Sequence, residues 1–209
     1  MDQFLDPSNL PYNRRYLTLS ELEERLHRHG DAIALPKLLD AYEMSQSVHA
    51  HLMRNDGTPY FYHSARTARI IMDELHAFDT DILISALLHD VLEDSDTVTK
   101  GVLEYNFGSY VAYVVDMLTK DLPKARIDPE SVDKAHVQKL QTASEDCLII
   151  KLAARLDNIR CLSFNLKRNP LVYITNTLDR YLPIAEASSN ARLHHLASAI
   201  RSESNTFLG

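Results

Sequence analysis

Ile82-Leu83-Ile84-Ser85-Ala86-Leu87-Leu88-His89-Asp90-Val91-Leu92-Glu93-Asp94 passes from an apolar run directly into an acidic one, with no glycine or proline between them. Read as one helix, it packs Ile82, Leu83, Ala86 and Leu87 inward and places His89 with Glu93, and Asp90 with Asp94, as i, i+4 neighbours. One imidazole and three carboxylates then share a narrow strip. Like charges at that spacing repel unless something positive sits among them, and imidazole beside carboxylate is a ligand mix that divalent transition metals accept. The strip therefore reads either as a metal site or as a solvated helix end with a capping histidine.

The rest of the composition bounds what such a strip can belong to. With 209 residues and 45% hydrophobic content, one sizeable core can be buried without splitting the chain into domains. Only 5 glycines and 8 prolines interrupt long stretches of 3.6-residue periodicity, so the fold class is all-α. A net charge of -7 disfavours nucleic acid as a partner, because phosphate-backbone binders draw affinity from clustered Lys and Arg. Cys147 and Cys161 are too few for a disulfide framework. No signal peptide opens the chain, and no apolar run approaches the ~20 residues of a membrane span. A cytoplasmic protein with reduced thiols is expected.

Residues 1–17, punctuated by Pro7 and Pro11, read as an irregular N-terminal arm, and residues 18–205 as one domain. Ser20 and Glu23 have capping-box spacing for a short helix that Gly30 ends. A second helix spans 35–53, with Met53 among its apolar positions, and stops at the turn Arg54-Asn55-Asp56-Gly57-Thr58-Pro59. His63 opens the next helix, and a continuous helix from 79 to 94 follows. Asp96 can cap a helix that ends at Phe107-Gly108. After the apolar segment 110–118, a loop carries Lys120 and Lys124. A polar helix at 131–144, one from Cys147 through Arg160, and two more at 170–186 and 189–203 complete the chain.

Arg54, Gly57-Thr58-Pro59-Tyr60, His63, His89-Asp90-Val91-Leu92-Glu93-Asp94, Phe107-Gly108, and Lys151-Leu152-Ala153 with Arg155-Leu156 and Asn158 occur in this order. Across residues 45–165 they resemble the hydrolase domain of RelA/SpoT-type alarmone enzymes. The resemblance implies a single-domain HD-superfamily helical bundle of roughly eight to ten helices. Because no synthetase domain follows within 209 residues, the chain resembles the stand-alone small alarmone hydrolases. It implies a manganese ion, Mn2+, held by His63, His89, Asp90 and a fourth carboxylate. Glu93 and Asp94 act on the attacking water, and the 3′-pyrophosphate is removed from (p)ppGpp or (p)ppApp. Arg54 then lies along the base, Asn158 meets the nucleoside, and Lys124 reaches phosphate.

Three positions depart from the family pattern. Ala154 stands where the fourth ligand is normally aspartate, and a methyl group cannot ligate. Asp157, about 60° around a helix and ~4.5 Å along it, would substitute only if the helix or the ion moved, so it reads as an ordinary occupant. Both a substrate-trapping substitution and a natural loss produce Ala154. Asn55 replaces a lysine of guanine-specific relatives and Cys161 a threonine, changes expected to relax purine selectivity. Besides a hydrolase impaired at position 154, a catalytically silent alarmone-binding or antitoxin-like module remains open. So does the dephosphorylation of NADPH, which a metazoan relative performs. An alarmone synthetase is the expected functional counterpart.

Overall fold

The apolar run Ile82–Leu88 is buried without exception, and the architecture is arranged around it. The computed structural model describes residues 10–29, 34–165 and 169–209. The run forms α4 (Thr80–Leu88), after α1 (Leu19–His29), α2 (Leu35–Val48) and α3 (Phe61–Asp73). Then come α5 (Val91–Asp94), α6 (Lys100–Phe107), α7 (Ser109–Leu118), α8 (Leu122–Ile127), α9 (Pro129–Gln141) and α10 (Glu145–Arg160). The last are α11 (Pro170–Asn176), which runs through a π-turn at Thr177–Tyr181 into α12 (Leu182–Ala187), and α13 (Ala191–Leu208).

The fold is all-α, as the spacing predicts. With 170–187 counted as one stretch, ten helices of eight residues or more occur among the described residues. The two short ones, α5 and α8, lie outside the expected pattern. Helix α10 is buried on every face from Cys147 to Ile150 and again from Leu152 to Asp157, the pattern of a helix enclosed by others. It packs against α3, α7 and α13, while α4 packs against α2, α3 and α7. No described helix is long and apolar enough to cross a membrane, and Cys147 and Cys161 are free, buried thiols.

The structure corrects several local expectations. The helix expected over 79–94 breaks at His89-Asp90. Asp79 caps its start by accepting from the Asp81 and Ile82 amides. At its end the His89 Nδ1 lies 2.9 Å from the Ala86 carbonyl, so the imidazole satisfies an orphan acceptor of the last turn and terminates it. The first capping box is Thr18 with Glu21, not Ser20 with Glu23: the Thr18 amide donates to Glu21, and the Glu21 amide to the Thr18 hydroxyl. Thr99, not Asp96, caps α6. In the expected loop, Asp121 accepts from the Lys124 amide and starts α8. Met53 is outside α2 and exposed, in an isolated bridge with Pro59. His63 is the third residue of α3 rather than its first.

Residues 10–17 are folded onto the core rather than irregular. Tyr12–Arg14 form a 3-10 turn, Asn13 and Leu17 are buried, and the Tyr42 hydroxyl donates to the Leu17 carbonyl. The Gly30 stop and residues 1–9 of the expected arm lie outside the described residues.

Candidate functional site

Three elements bring the chemistry together. The turn Arg54–Thr58 is shaped by Gly57 (φ 79°) and by the Asp56 carboxylate, which accepts from both the amide and the hydroxyl of Thr58. It delivers Arg54 and Asn55 to one rim of a pocket of about 320 Å³. Helix α3 supplies His63, and the α4–α5 break supplies His89, Asp90 and Glu93. Helix α10 supplies Lys151, Ala154, Arg155 and Asn158, whose i, i+3, i+4, i+7 spacing puts them on one face. A larger groove of about 750 Å³, between α9, the start of α10 and α12–α13, holds none of these residues.

His63, His89 and Asp90 can each offer one ligand atom within 4.8 Å of the others. The Asp90 Oδ2 lies 3.3 Å from the His89 Nε2 and 3.9 Å from the His63 Nε2, and accepts from the Tyr60 hydroxyl at 3.0 Å. Both histidines spend Nδ1 on a neighbour, His63 on Asp157 at 2.6 Å and His89 on the Ala86 carbonyl. Because those neighbours are acceptors, Nδ1 carries the hydrogen and both Nε2 atoms are turned toward Asp90. Two imidazole nitrogens and one carboxylate oxygen, oriented by outer hydrogen bonds, fit a divalent transition metal.

Burial, with the Arg54 charge, pushes His63 down to about 4, so its imidazole is neutral at ordinary pH. Burial alone would raise Asp90, but His89, its hydrogen bond and His63 outweigh that and hold the carboxyl well below the usual range. Glu93 is shifted the other way, upward, by burial and by Asp90, while its Oε1 accepts from the Lys120 amide at 2.6 Å. Burial and the neighbouring Lys120 push Lys151 down to about 8. Four cationic side chains, Arg54, Lys120, Lys151 and Arg155, face two carboxylates in this pocket. Cationic side chains thus outnumber carboxylates along its lining, within a chain of net charge -7.

Not every expected site residue is here. Arg54, Asn55, Glu93, Ala154 and Asn158 line the pocket, and the Arg54 Nη2 donates to the side-chain Oδ1 of Asn158 at 2.6 Å. Asp94 points away from it, toward the buried His49 Nε2 at 3.4 Å, because α5 turns adjacent residues to different faces. Lys124 is 78% exposed and paired with Asp121, whereas Lys151 and Lys120 line the pocket, Lys120 with its ammonium 2.7 Å from Asp133. Cys161 is buried behind the site, 3.5 Å from Arg66. Asp157 is no ordinary occupant: it is fully buried and contacts His63, Arg66 and Tyr12. Sequence reasoning assigned no role to Tyr60, Lys120, Lys151 or Arg155, although the shared face of α10 was readable from the spacing.

Comparison with known proteins points the same way. The family model described as HD domain matches residues 41–188. A GTP pyrophosphokinase rsh of Brucella suis is 34% identical over 168 residues, covering 79% of this chain and 22% of the relative. The chain thus spans about a fifth of the length of such curated relatives. A mouse protein named guanosine-3′,5′-bis(diphosphate) 3′-pyrophosphohydrolase MESH1 is 36% identical over 131 residues, 61% of this chain and 70% of that one. A solved structure described as a metazoan ortholog of SpoT that hydrolyzes ppGpp superposes with a TM-score of 0.69 at 26% identity. It covers 79% of this chain and 94% of that chain.

Proposed function

This chain belongs to the HD-domain family, and on that premise we propose that it is a manganese-dependent hydrolase of purine alarmones, impaired by Ala154. It removes the 3′-pyrophosphate of (p)ppGpp, and also of (p)ppApp, opposing an alarmone synthetase. One observation carries the reading. The His63, His89 and Asp90 donor set and a wall of Lys120, Lys151 and Arg155 share one pocket.

A cation held by the three donors would supply Lewis-acid activation of water and neutralise charge at phosphorus. The chain's own groups do the rest. Lys120, Lys151 and Arg155 receive the pyrophosphate as ionic donors, and Arg155 is fixed for this by Thr177, Asn176 and the Tyr181 ring 3.8 Å away. Glu93, its pKa raised by burial and by Asp90 and its carboxylate held by the Lys120 amide, takes the proton of the attacking water. Water bonds to phosphorus as the 3′ P–O bond breaks, the ribose 3′ oxygen leaves as a hydroxyl with the proton returned from Glu93, and pyrophosphate is released. Arg54, braced by Asn158 and 5.8 Å from the Tyr60 ring, lies against the base. Because Cys161 is buried elsewhere, relaxed purine selectivity rests on Asn55 alone.

Ala154 turns a methyl group to the pocket beside the donors, so a fourth ligand, a second carboxylate, is missing and metal affinity falls. This favours a second reading, an alarmone-binding module without turnover. The deciding experiment incubates the protein and its Ala154→Asp variant with ppGpp and ppApp, with manganese or a chelator, and follows pyrophosphate. We expect Ala154→Asp to raise the rate at least ~10²-fold, about 2.7 kcal/mol of barrier, and chelation to abolish it. A variant that binds manganese yet cleaves neither substrate overturns the hydrolase reading in favour of the binding module.

A further inference from the structure

The rear of the His63 ring is as closely built as its front. We propose that Asp157 is the positioning residue for His63 and that Tyr12 and Arg66 fix Asp157 for this task, so that the N-terminal segment is part of the metal site's outer layer. The proposal rests on the reading of His63, His89 and Asp90 as ligands.

Asp157 is fully buried, and both of its oxygens are engaged. Oδ2 takes the His63 Nδ1 at 2.6 Å and the Arg66 Nη2 at 3.3 Å, while Oδ1 takes the Arg66 Nε at 2.5 Å and the Tyr12 hydroxyl at 3.0 Å. A carboxylate so placed only accepts, so the His63 hydrogen is on Nδ1 and Nε2 keeps its lone pair. Left to itself a neutral imidazole exchanges the hydrogen between its nitrogens and turns about its side-chain bonds. Asp157 removes both freedoms. It is also not a replacement for the ligand missing at position 154. It holds the nitrogen of His63 that faces away from Asp90, and so acts on the site only through that ring.

Arg66 and Tyr12 show what keeps Asp157 in place. Arg66 is itself buried, and its Nη1 donates to the backbone carbonyls of Asn13 and Arg15, so one guanidinium joins the carboxylate to the N-terminal turn. The Arg66 and Arg160 guanidiniums each lie 5.7 Å from the centre of the Tyr12 ring. Arg160 in turn reaches Glu74 at 2.5 Å and Glu203 of α13 at 2.8 Å. A pair that served stability alone would need Arg66 and Asp157 but not the imidazole. The 2.6 Å contact to His63 marks the second task.

The test reads the histidine directly. In metal-free protein labelled with ¹⁵N-histidine, near pH 7, His63 is expected to show a protonated Nδ1 and a bare Nε2. Manganese affinity is read from the free-ion EPR signal, in this protein and in its Ala154→Asp variant. Asp157→Asn is expected to weaken it about 10–100-fold in either background, with thermal melting recorded as a control. Tyr12→Phe keeps the ring and removes one hydrogen bond, and is expected to weaken it roughly 2- to 5-fold. If Asp157→Asn does not fold, the NMR signature together with Tyr12→Phe decides.

A His63 protonated at Nε2 overturns the proposal, as does a folded Asp157→Asn, or failing that a Tyr12→Phe, with undiminished affinity. If neither the protein nor Ala154→Asp binds manganese, the ligand reading itself falls and takes the proposal with it. If they bind it and Asp157→Asn binds equally well, only the role of Asp157 falls.

Discussion

Arg54 and Asn158, 104 residues apart in sequence, meet in a 2.6 Å hydrogen bond across the rim of the pocket. The bond ties the turn after α2 to the pocket-facing side of α10, so each residue braces the other at the proposed nucleoside site. In the Ala154→Asp background, Arg54→Ala is expected to raise KM about 10-fold with little change in kcat, since it removes binding shared by ground and transition states. Because the two residues contact each other, Arg54→Ala/Asn158→Ala should cost less than the sum of the singles. Steady-state kinetics on the four proteins checks this, and strict additivity would show that the bond does no work in binding.

The two acidic residues of α5 should separate cleanly. Glu93 lines the pocket and Asp94 faces His49. Glu93→Gln in the Ala154→Asp background is expected to lower kcat about 10²-fold or more while KM stays close to that of its parent. Asp94→Asn should act on folding instead, costing about 1–2 kcal/mol in urea unfolding and less than threefold in kcat. Equal losses of kcat in both variants would place Asp94 in the chemistry.

Lys124 and Lys151 make a second discriminating pair. Lys124→Ala removes an exposed ammonium whose partner is the adjacent Asp121, so substrate affinity should change less than twofold. Lys151→Met keeps the buried stem and removes a charge facing Asp90 and Glu93, so KM should rise about 10-fold or more. Nucleotide titration by calorimetry reads both, and a large loss in Lys124→Ala alone would reverse the assignment.

Acid should weaken the metal-free fold well before the carboxylates titrate. Burial, with Lys151 and Lys120, pushes His136 down to about 2, and burial with Arg54 pushes His63 to about 4. An unfolded histidine takes its proton near pH ~6.5. The unfolded chain therefore binds more protons than the native one below that pH, and stability present above it is lost as pH falls. His89, raised by Asp90 against its burial, works in the opposite sense. His89 is protonated in both states below about pH 6, so the net loss there is that of two histidines, roughly 2.7 kcal/mol per pH unit between about pH 6 and 4. Below that, Asp157 and Asp133, both held low, deepen it. Urea midpoints at about pH 7, 6 and 5 with chelator present measure the slope. His136→Gln should remove about half of it, and a flat profile in the unmodified protein would contradict the assignment.

What the sequence made legible was what rests on periodicity. The burial of Ile82–Leu88 and the helical class follow from apolar spacing, whereas the grouping of His63 with His89-Asp90 is implied by the family resemblance and not by spacing. What it hid was decided by single side chains acting on the backbone. Periodicity carries the helix through to Asp94, but the His89 imidazole occupies the Ala86 carbonyl and ends it. The i, i+4 stripe therefore never forms, and Glu93 and Asp94 part company. Lys124 was placed by its neighbours in sequence, yet the Asp121 cap winds that segment into α8 and turns its ammonium outward. Asp157 looked idle because its partners, Tyr12 and Arg66, lie 145 and 91 residues away.

The contacts of Tyr12 also separate the span that can be recognised from the span that can fold. The family match covers 41–188, whereas Arg66 needs the carbonyls of Asn13 and Arg15, and Arg160 needs Glu203. A gene fragment cut to the matching region would encode every side chain of the pocket. It would also leave the Arg66 guanidinium short of two acceptors, Asp157 short of a donor, and the α10 surface that meets α13 open to water. For this chain the ends of the family match are not the ends of the fold, and boundaries for expression or for grafting are set by the hydrogen bonds of two arginines, Arg66 and Arg160.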